Sequence, residues 1–142
     1  MRARSVVCGV DFSRASAQAL RAAAALARRD RGRLVVLFVE DPMLAAAARA
    51  AGDRRASPAS TTTALERFIA RSLGRLSSAT PVQTAVAVGK PAEEILRVAK
   101  RCRADLIVLG TRGIGKAARL LLGSTADAVL RRARMPVLAV PS

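Results

Sequence analysis

Short apolar runs alternate along the chain with segments of helical pattern, and this alternation is the feature that most restricts the fold. Each run is continuous, as in strands covered on both faces of a parallel sheet. The runs are Val6–Val10, Leu34–Val39, Val82–Val88, Leu106–Leu109 and Pro136–Val140. The order β-α-β-(loop)-α-β-α-β-α-β implies right-handed crossovers. We therefore predict an α/β fold, a doubly wound five-stranded parallel sheet with helices on both faces.

The segments between the runs carry helix start and stop signals. Ser13 suits the N-cap of a helix over 14–29, and Gly32 fits a position that terminates it. Pro91 suits the first turn of a helix that precedes the fourth run. Helices are also predicted over 61–76 and 125–133, the latter with Ser124 as its N-cap and Asp127 close to a capping box. We interpret residues 41–60 as a mobile excursion with some helix and as a candidate lid.

Composition limits the chemistry that is available. The 142 residues suit one domain, 1–142, and no apolar run approaches the roughly 18 residues of a membrane span. We expect a cytoplasmic protein without membrane contact. The absence of histidine excludes Ser-His and Cys-His catalysis and His-ligated metals. Cys8 and Cys102 have no CxxC partner, so we interpret both as small buried hydrophobes.

The net charge of +15 predicts attraction to polyanions, including nucleotide phosphates and nucleic acid. Binders of single strands usually combine basic with aromatic residues. This chain has no Trp or Tyr and three Phe. Any nucleic-acid binding is therefore expected to be non-specific and electrostatic.

Two strands end in candidate ligand-binding residues. The first ends at Asp11, and the fourth leads into a loop with Gly110, Gly113 and Gly115. These glycines allow close backbone approach and φ > 0, and the N–H groups of such a loop can hold an anion. Ligands of doubly wound sheets bind beyond the carboxyl ends of the strands.

A helix start follows this loop. Gly123, Ser124 and Thr125 bring free N–H groups and two hydroxyls, while Arg112 and Lys116 can pair with phosphates. A structural alternative stays open at this point. The glycines also suit a tight turn, Ser124 a helix cap and Asp11 a backbone-bonded turn. No GxxxxGK[ST] motif follows a strand, and the glycines do not follow the order GxGxxG.

Together these segments resemble the universal stress protein family along nearly the whole chain, most weakly between about 41 and 62. The family's nucleotide signature, G-x2-G-x9-G-[ST], matches at Gly110, Gly113, Gly123 and Ser124. The opening 10–13, the stretch 105–113 and the closing 135–140 are also similar to the family.

The resemblance implies a strand order of 3-2-1-4-5, as in adenine nucleotide alpha hydrolase-like proteins. It implies that Asp11 contacts the base or ribose, that the backbone of Val39 contacts adenine, and that many members dimerise through the last strand, here 137–140. One departure is Phe38, which stands where many members have histidine and bears on the wall beside the base. The residues and the resemblance together predict a nucleotide site made of Gly9, Asp11, Val39, Gly110, Arg112, Gly113, Gly115, Lys116, Gly123, Ser124 and Thr125.

The predicted function is that of a stress-response regulatory module that binds ATP, with or without Mg²⁺, and acts as a homodimer without efficient catalysis. No catalytic residue and no protein metal ligand are predicted, and slow hydrolysis stays open. Two alternatives remain: a basic nucleic-acid-binding or scaffolding domain, and a weak ATPase or nucleotidyl-transfer enzyme.

Overall fold

The computed structural model describes residues 1–53, 57–111 and 122–141. Its strands are β1 (Ser5–Val10), β2 (Arg33–Glu40), β3 (Val82–Val88), β4 (Leu106–Gly110) and β5 (Val137–Val140). Its helices are α1 (Arg14–Arg29), α2 (Pro42–Ala50), α3 (Pro58–Leu73), α4 (Leu76–Ala79), α5 (Pro91–Arg101) and α6 (Ser124–Arg132). All strand pairs are parallel, in the order β3-β2-β1-β4-β5. The fold class and strand order expected from the sequence are confirmed.

The sheet is covered on both faces, which explains why its inner strands are continuously apolar. Every residue of β1 is buried. Val6 and Cys8 belong to the core that contains α1 and α3, whereas Val7 belongs to the core that contains α5 and α6. Adjacent residues of one strand therefore lie in different cores, as the period of two requires.

Helix α1 begins and ends where its sequence predicts. The Ser13 Oγ accepts a hydrogen bond from the Ser16 N–H at 3.1 Å, and Leu20, Ala24 and Ala27 are buried on one face. Gly32 takes part in the end of α1 as its sequence predicts, because its N–H bonds the Ala27 carbonyl, but the left-handed residue is Arg31, with a φ of 54°. Gly32 is needed instead for space, since a Cβ there would overlap the carbonyl oxygen of Ala3.

Arg31 closes a Schellman motif. The Arg31 N–H bonds the Arg28 carbonyl, and the Gly32 N–H bonds the Ala27 carbonyl. Helix α5 ends in the same way at Arg103, whose φ is 51°. Arginine thus occupies two left-handed positions that glycine normally takes.

The stretch 41–60 contains more helix than its sequence suggests. Asp41 caps α2, which has no buried residue, and α3 begins at Pro58 rather than Thr61. Ser57 accepts from the Ser60 N–H, and Pro58 takes the first helical position, where a missing N–H costs nothing. No helix in the described part of the chain is both long and apolar enough to cross a membrane.

Asp30 ties the start of the chain to the end of α1. Its carboxylate accepts the Arg29 Nε–H at 3.1 Å and the Ala3 N–H at 2.6 Å. The Arg29 hydrogen bond and the Ala3 N–H lower the pKa of Asp30 to about 2. Asp30 therefore stays ionised at neutral pH and holds this edge of the sheet together.

We predict that replacing Arg31 and Arg103 with glycine stabilises the protein. Glycine carries no steric penalty in the left-handed region, so each change is expected to add about 0.5–1 kcal/mol to the free energy of unfolding. Urea unfolding of Arg31→Gly, Arg103→Gly and the double variant measures this. Gly52 follows the C-cap of α2 and has a positive φ of 75°, as the two arginines do at the ends of α1 and α5. Gly52→Ala should therefore lower the free energy of unfolding. A loss of stability in both arginine variants would show that these side chains make contacts worth more than the strain.

Candidate functional site

A pocket opens at the carboxyl ends of β1, β2 and β4, between the first turns of α5 and α6. This is where strands 1 and 4 lie side by side and the chain's crossovers diverge to opposite sides of β1. The residues that line it are Gly9, Val10, Asp11, Ser13, Ser16, Leu37, Val39, Pro91, Ile95, Leu109, Gly110, Thr125 and Ala126. Of the predicted site residues, Gly9, Asp11, Val39, Gly110 and Thr125 are brought together here.

The inner wall of the pocket is apolar because of strand periodicity. Leu37 and Val39 lie two residues apart on β2 and point to the face that carries α5 and α6. Gly9, on the neighbouring strand, has no side chain to fill the space between these two residues and Ile95 of α5. A Cβ on Gly9 would come within 2.8 Å of the Leu109 Cδ2 and 2.9 Å of the Ile95 Cδ1. The missing side chain therefore helps to form the pocket.

Asp11 provides an open carboxylate at the rim. Its Oδ1 accepts the Ser13 N–H at 3.0 Å, and its own N–H donates to the Ser16 Oγ at 3.3 Å. Asp11 therefore does bond the backbone of the turn, as the structural alternative stated from the sequence predicts. No hydrogen bond within the described residues uses its Oδ2, and the residue is exposed. One oxygen holds the turn and the other is available to a ligand.

Within the described residues, the N-terminus of α6 has no side-chain cap. Side chains cap α1, α2 and α3, whereas α5 has Lys90 and α6 has Gly123 as an N-cap without a side-chain hydrogen bond. Ser124 is therefore the first helical residue, and its assignment as N-cap is wrong. Asp127 forms an ion pair with Arg131 at 3.0 Å instead of completing a capping box. The first N–H groups of α6 and the Ser124 hydroxyl thus have no side-chain partner among the described residues.

Gly110 is needed for close approach and not for an unusual φ. Its φ is not among the positive ones, which contradicts the expectation for this residue. A Cβ on Gly110 would lie 2.9 Å from the Ala15 carbonyl carbon and 3.0 Å from its oxygen. The end of β4 therefore touches the backbone of the first turn of α1, which closes one side of the pocket.

Four predicted site residues lie outside the described part of the chain: Arg112, Gly113, Gly115 and Lys116. The described residues on either side of this segment, Thr111 and Gly123, are hydrogen-bonded to each other. The Gly123 N–H donates to the Thr111 carbonyl at 2.7 Å, and the Thr111 N–H donates to the Val140 carbonyl at 3.0 Å. These bonds hold the start of α6 against the ends of β4 and β5.

Phe38 does not stand beside the pocket, contrary to the interpretation drawn from the resemblance. It follows Leu37 on β2, so it points to the opposite face and packs against the α1 and α3 core. Its ring lies 4.6 Å from that of Phe12, which in turn lies 5.3 Å from Phe68. Phe12 has a φ of 66°, which is unusual for a bulky residue.

The wall residues Leu37, Ile95 and Leu109 are absent from the site predicted by sequence. Strand alternation could have found Leu37, because it shares a face with Val39. Ile95 has no local signal, since only the packing of α5 brings it to the strand ends.

The described residues of the pocket hold few reactive groups. Cys8 of β1 does not line the pocket but lies in the α1 and α3 core, and burial raises the pKa of its thiol, so the nucleophilic thiolate does not form at neutral pH. The described residues contain no group of three or more Cys, Asp or Glu side chains that could hold a metal ion. Asp11 is the only charged side chain among the lining residues given above.

The model of the Universal stress protein family matches residues 2–141. The universal stress protein MJ0531 of Methanocaldococcus jannaschii is 46% identical over 59 residues, which are 42% of this chain and 35% of that protein. Thus the match spans about a third of that relative's length. UspA of Lactobacillus plantarum has the same fold, with a TM-score of 0.75, 28% identity and 99% of each chain covered.

A further solved structure is a universal stress protein in complex with cAMP. It has a TM-score of 0.73 and 26% identity, and the match covers 99% of this chain and 98% of that one.

We predict that alanine is tolerated at Gly9 and not at Gly110. At Gly9 the new methyl group meets the ends of two flexible side chains, so the cost should stay below about 1.5 kcal/mol. At Gly110 it meets backbone, which cannot turn away, so Gly110→Ala should lower the free energy of unfolding by about 1–3 kcal/mol. Urea denaturation of the two variants gives both values. Equal costs would contradict the described contact between β4 and α1.

Proposed function

The chain belongs to the universal stress protein family, and from this premise we propose that it binds an adenine nucleotide, with ATP as its ligand, in the pocket described above. The observation that carries the proposal is the pairing of an apolar wall with two polar features at its rim. These are the free carboxylate oxygen of Asp11 and the uncapped N-terminus of α6. A nucleotide has the same division into a flat base, a hydroxylated sugar and a charged tail.

The apolar wall suits the base. Leu37, Val39 and Ile95 offer aliphatic surface, and a purine gains from burying its ring against such side chains. Val39 also carries backbone groups that could read the edge of the base. The relative solved with cAMP binds an adenine nucleotide, which supports adenine as the base.

Asp11 suits the sugar. A carboxylate accepts hydrogen bonds from hydroxyls, and bonds to a charged acceptor are stronger than neutral ones. The Oδ1 is held by the Ser13 N–H, which fixes the carboxylate at the end of β1. Its Oδ2 is then aimed by that turn and can accept from the ribose.

The N-terminus of α6 suits the phosphates. Free N–H groups and the helix dipole both favour anions, and Ser124 and Thr125 add hydroxyls. In the proposal Gly110, Gly113, Gly115 and Gly123 allow the chain to pass close to the phosphates. Arg112 and Lys116 pair with the phosphate charge, and Mg²⁺, if it takes part, is held by the phosphates.

The pocket favours binding over fast turnover. The chain has no histidine, and its one carboxylate at the site is partly engaged by the backbone. We therefore propose a regulatory module of the stress response, without efficient catalysis, in the cytoplasm. A homodimer is proposed through β5, an edge strand that pairs with β4 and exposes Leu138.

Calorimetric titration with ATP, ADP, GTP and inorganic triphosphate in about 0.2 M salt with Mg²⁺ tests the ligand. We expect saturable one-to-one binding of ATP, with GTP and triphosphate much weaker. Equal binding of triphosphate and ATP would mean that the charge of +15 is the cause, and the adenine site would be rejected. Analysis of the nucleotide after a long incubation should show at most slow hydrolysis. Rapid release of AMP and pyrophosphate would instead favour the nucleotidyl-transfer alternative.

Asp11→Asn tests the role of the carboxylate. The amide oxygen still accepts the Ser13 N–H, so the turn is kept, while the charged acceptor is lost. We expect ATP binding to be weaker by at least about tenfold in the same titration, because a hydrogen bond to a charged group is worth about 1.5–3 kcal/mol. Glu66→Gln, on the exposed surface of α3, is the matched control and should bind ATP as the parent does. Unchanged affinity in Asp11→Asn would remove Asp11 from the site.

A further inference from the structure

Five arginines that belong to no helix meet at the amino ends of three neighbouring strands. We call Arg2, Arg4, Arg31, Arg33 and Arg103 the amino-edge arginine cluster. The Arg33 N–H donates to the Arg4 carbonyl at 2.9 Å, and the Arg33 Nη2 donates to the Cys102 carbonyl at 3.1 Å. All five side chains are exposed, on the edge of the sheet opposite to the nucleotide pocket.

The two acidic residues at this edge offset only part of the charge of the five arginines. Asp30 pairs with Arg29, accepts the Ala3 N–H and also attracts Arg2. Asp105 accepts the N–H groups of Arg4 at 3.1 Å and Ser5 at 2.9 Å. Within the described residues no salt bridge involves a member of the cluster. The positive charge at this edge therefore faces solvent.

Helix dipoles account for only part of the cluster. The Arg33 Nη2 bonds the carbonyl of Cys102, which is the C-cap of α5. Arg31 and Arg103 directly follow the C-caps of α1 and α5. Arg2 and Arg4 lie at no helix end.

Basic residues in the last turns of helices are favoured by the dipole, as at Arg28 of α1 and Lys100 of α5. The cluster adds to that charge from strand starts and turns. Two of its members, Arg31 and Arg103, stand at left-handed positions where glycine would fit without strain. Strain retained at matching positions on both sides of β1 indicates a functional use of the side chains.

We propose that the amino-edge arginine cluster binds the phosphate backbone of double-stranded nucleic acid without regard to sequence. Of the 25 basic residues 22 are arginine, whose fork of donors matches phosphate oxygens. Five strands span about 19 Å of this edge, and a duplex carries about eleven phosphate charges over that length. Arg134, which is exposed in the turn before β5, extends the basic edge on one side.

The position of the aromatic residues favours a duplex over a single strand or a membrane. Single-strand binders stack bases on aromatic rings. Phe12, Phe38 and Phe68 instead pack on one another around the turn that follows β1, at the opposite edge. Binding to a membrane surface uses the apolar face of an amphipathic helix. The cluster consists of charged side chains on short turns between packed elements.

Fluorescence anisotropy with a labelled mixed-sequence DNA duplex, titrated at several salt concentrations between about 0.05 and 0.2 M, tests the proposal. The variant is Arg31→Gly with Arg103→Gly, which removes two charges from the cluster at positions that glycine suits. The control is Arg49→Ala with Arg67→Ala, which removes two exposed charges from α2 and α3. Both double variants have the same net charge.

We expect the cluster variant to bind the duplex at least about tenfold more weakly at about 0.1 M salt, and its slope of log Kd against log salt to be less steep by about two. The control should keep the parent slope. Equal weakening in both variants would overturn the proposal, because net charge alone would then explain binding. Absence of duplex binding by the parent, tighter binding of oligo-dT, or binding of phosphatidylserine vesicles in place of DNA would overturn it as well.

Discussion

The rest of the structure depends on the complete burial of β1. All six of its residues pair with β2 and the stretch Val6–Cys8 also pairs with β4, and the strand is covered by a core on each face. Parallel neighbours then bring all strand ends of one kind to one edge. Two glycines allow the close packing around it: Gly9 makes room for Ile95 and Leu109, and Gly110 brings β4 against α1. The pocket is the space that this packing leaves.

The same constraint gives the molecule two chemically different edges. Helices α1, α5 and α6, each of which alone among the described elements connects two parallel strands, begin at the carboxyl edge and end at the amino edge. An open carboxylate and an uncapped helix start therefore meet at the first, where an apolar wall lies between them. Arginines that form no salt bridge within the described residues gather at the second, over strand starts that Asp30 and Asp105 hold together through backbone N–H groups. A nucleotide and a polyanion would thus occupy opposite ends of one sheet.

Much of the fold could be predicted because its signals are local. Continuous apolar runs locate each strand to within one residue at either end, and Ser13 marks the start of α1. Features set by contacts distant in sequence could not be predicted. Gly32 is needed because a side chain there would overlap the carbonyl oxygen of Ala3. The left-handed conformation is found one residue earlier, at Arg31. At the site, Asp11 could be predicted because it ends a strand, and Thr125 because it follows the glycine motif. Ile95 could not be predicted, since only the packing of α5 brings it to the pocket.

Hydrogen exchange with and without ATP, read by mass spectrometry, tests most directly whether the nucleotide occupies the carboxyl edge. Bound ATP should slow exchange of backbone amides in 9–13, 109–111 and 122–127, where N–H groups and strand ends surround the pocket. Exchange in 28–34 and 100–105, at the amino edge, should not change. Protection confined to the amino edge would mean that ATP is held by arginines as a simple polyanion, and it would contradict the proposed site.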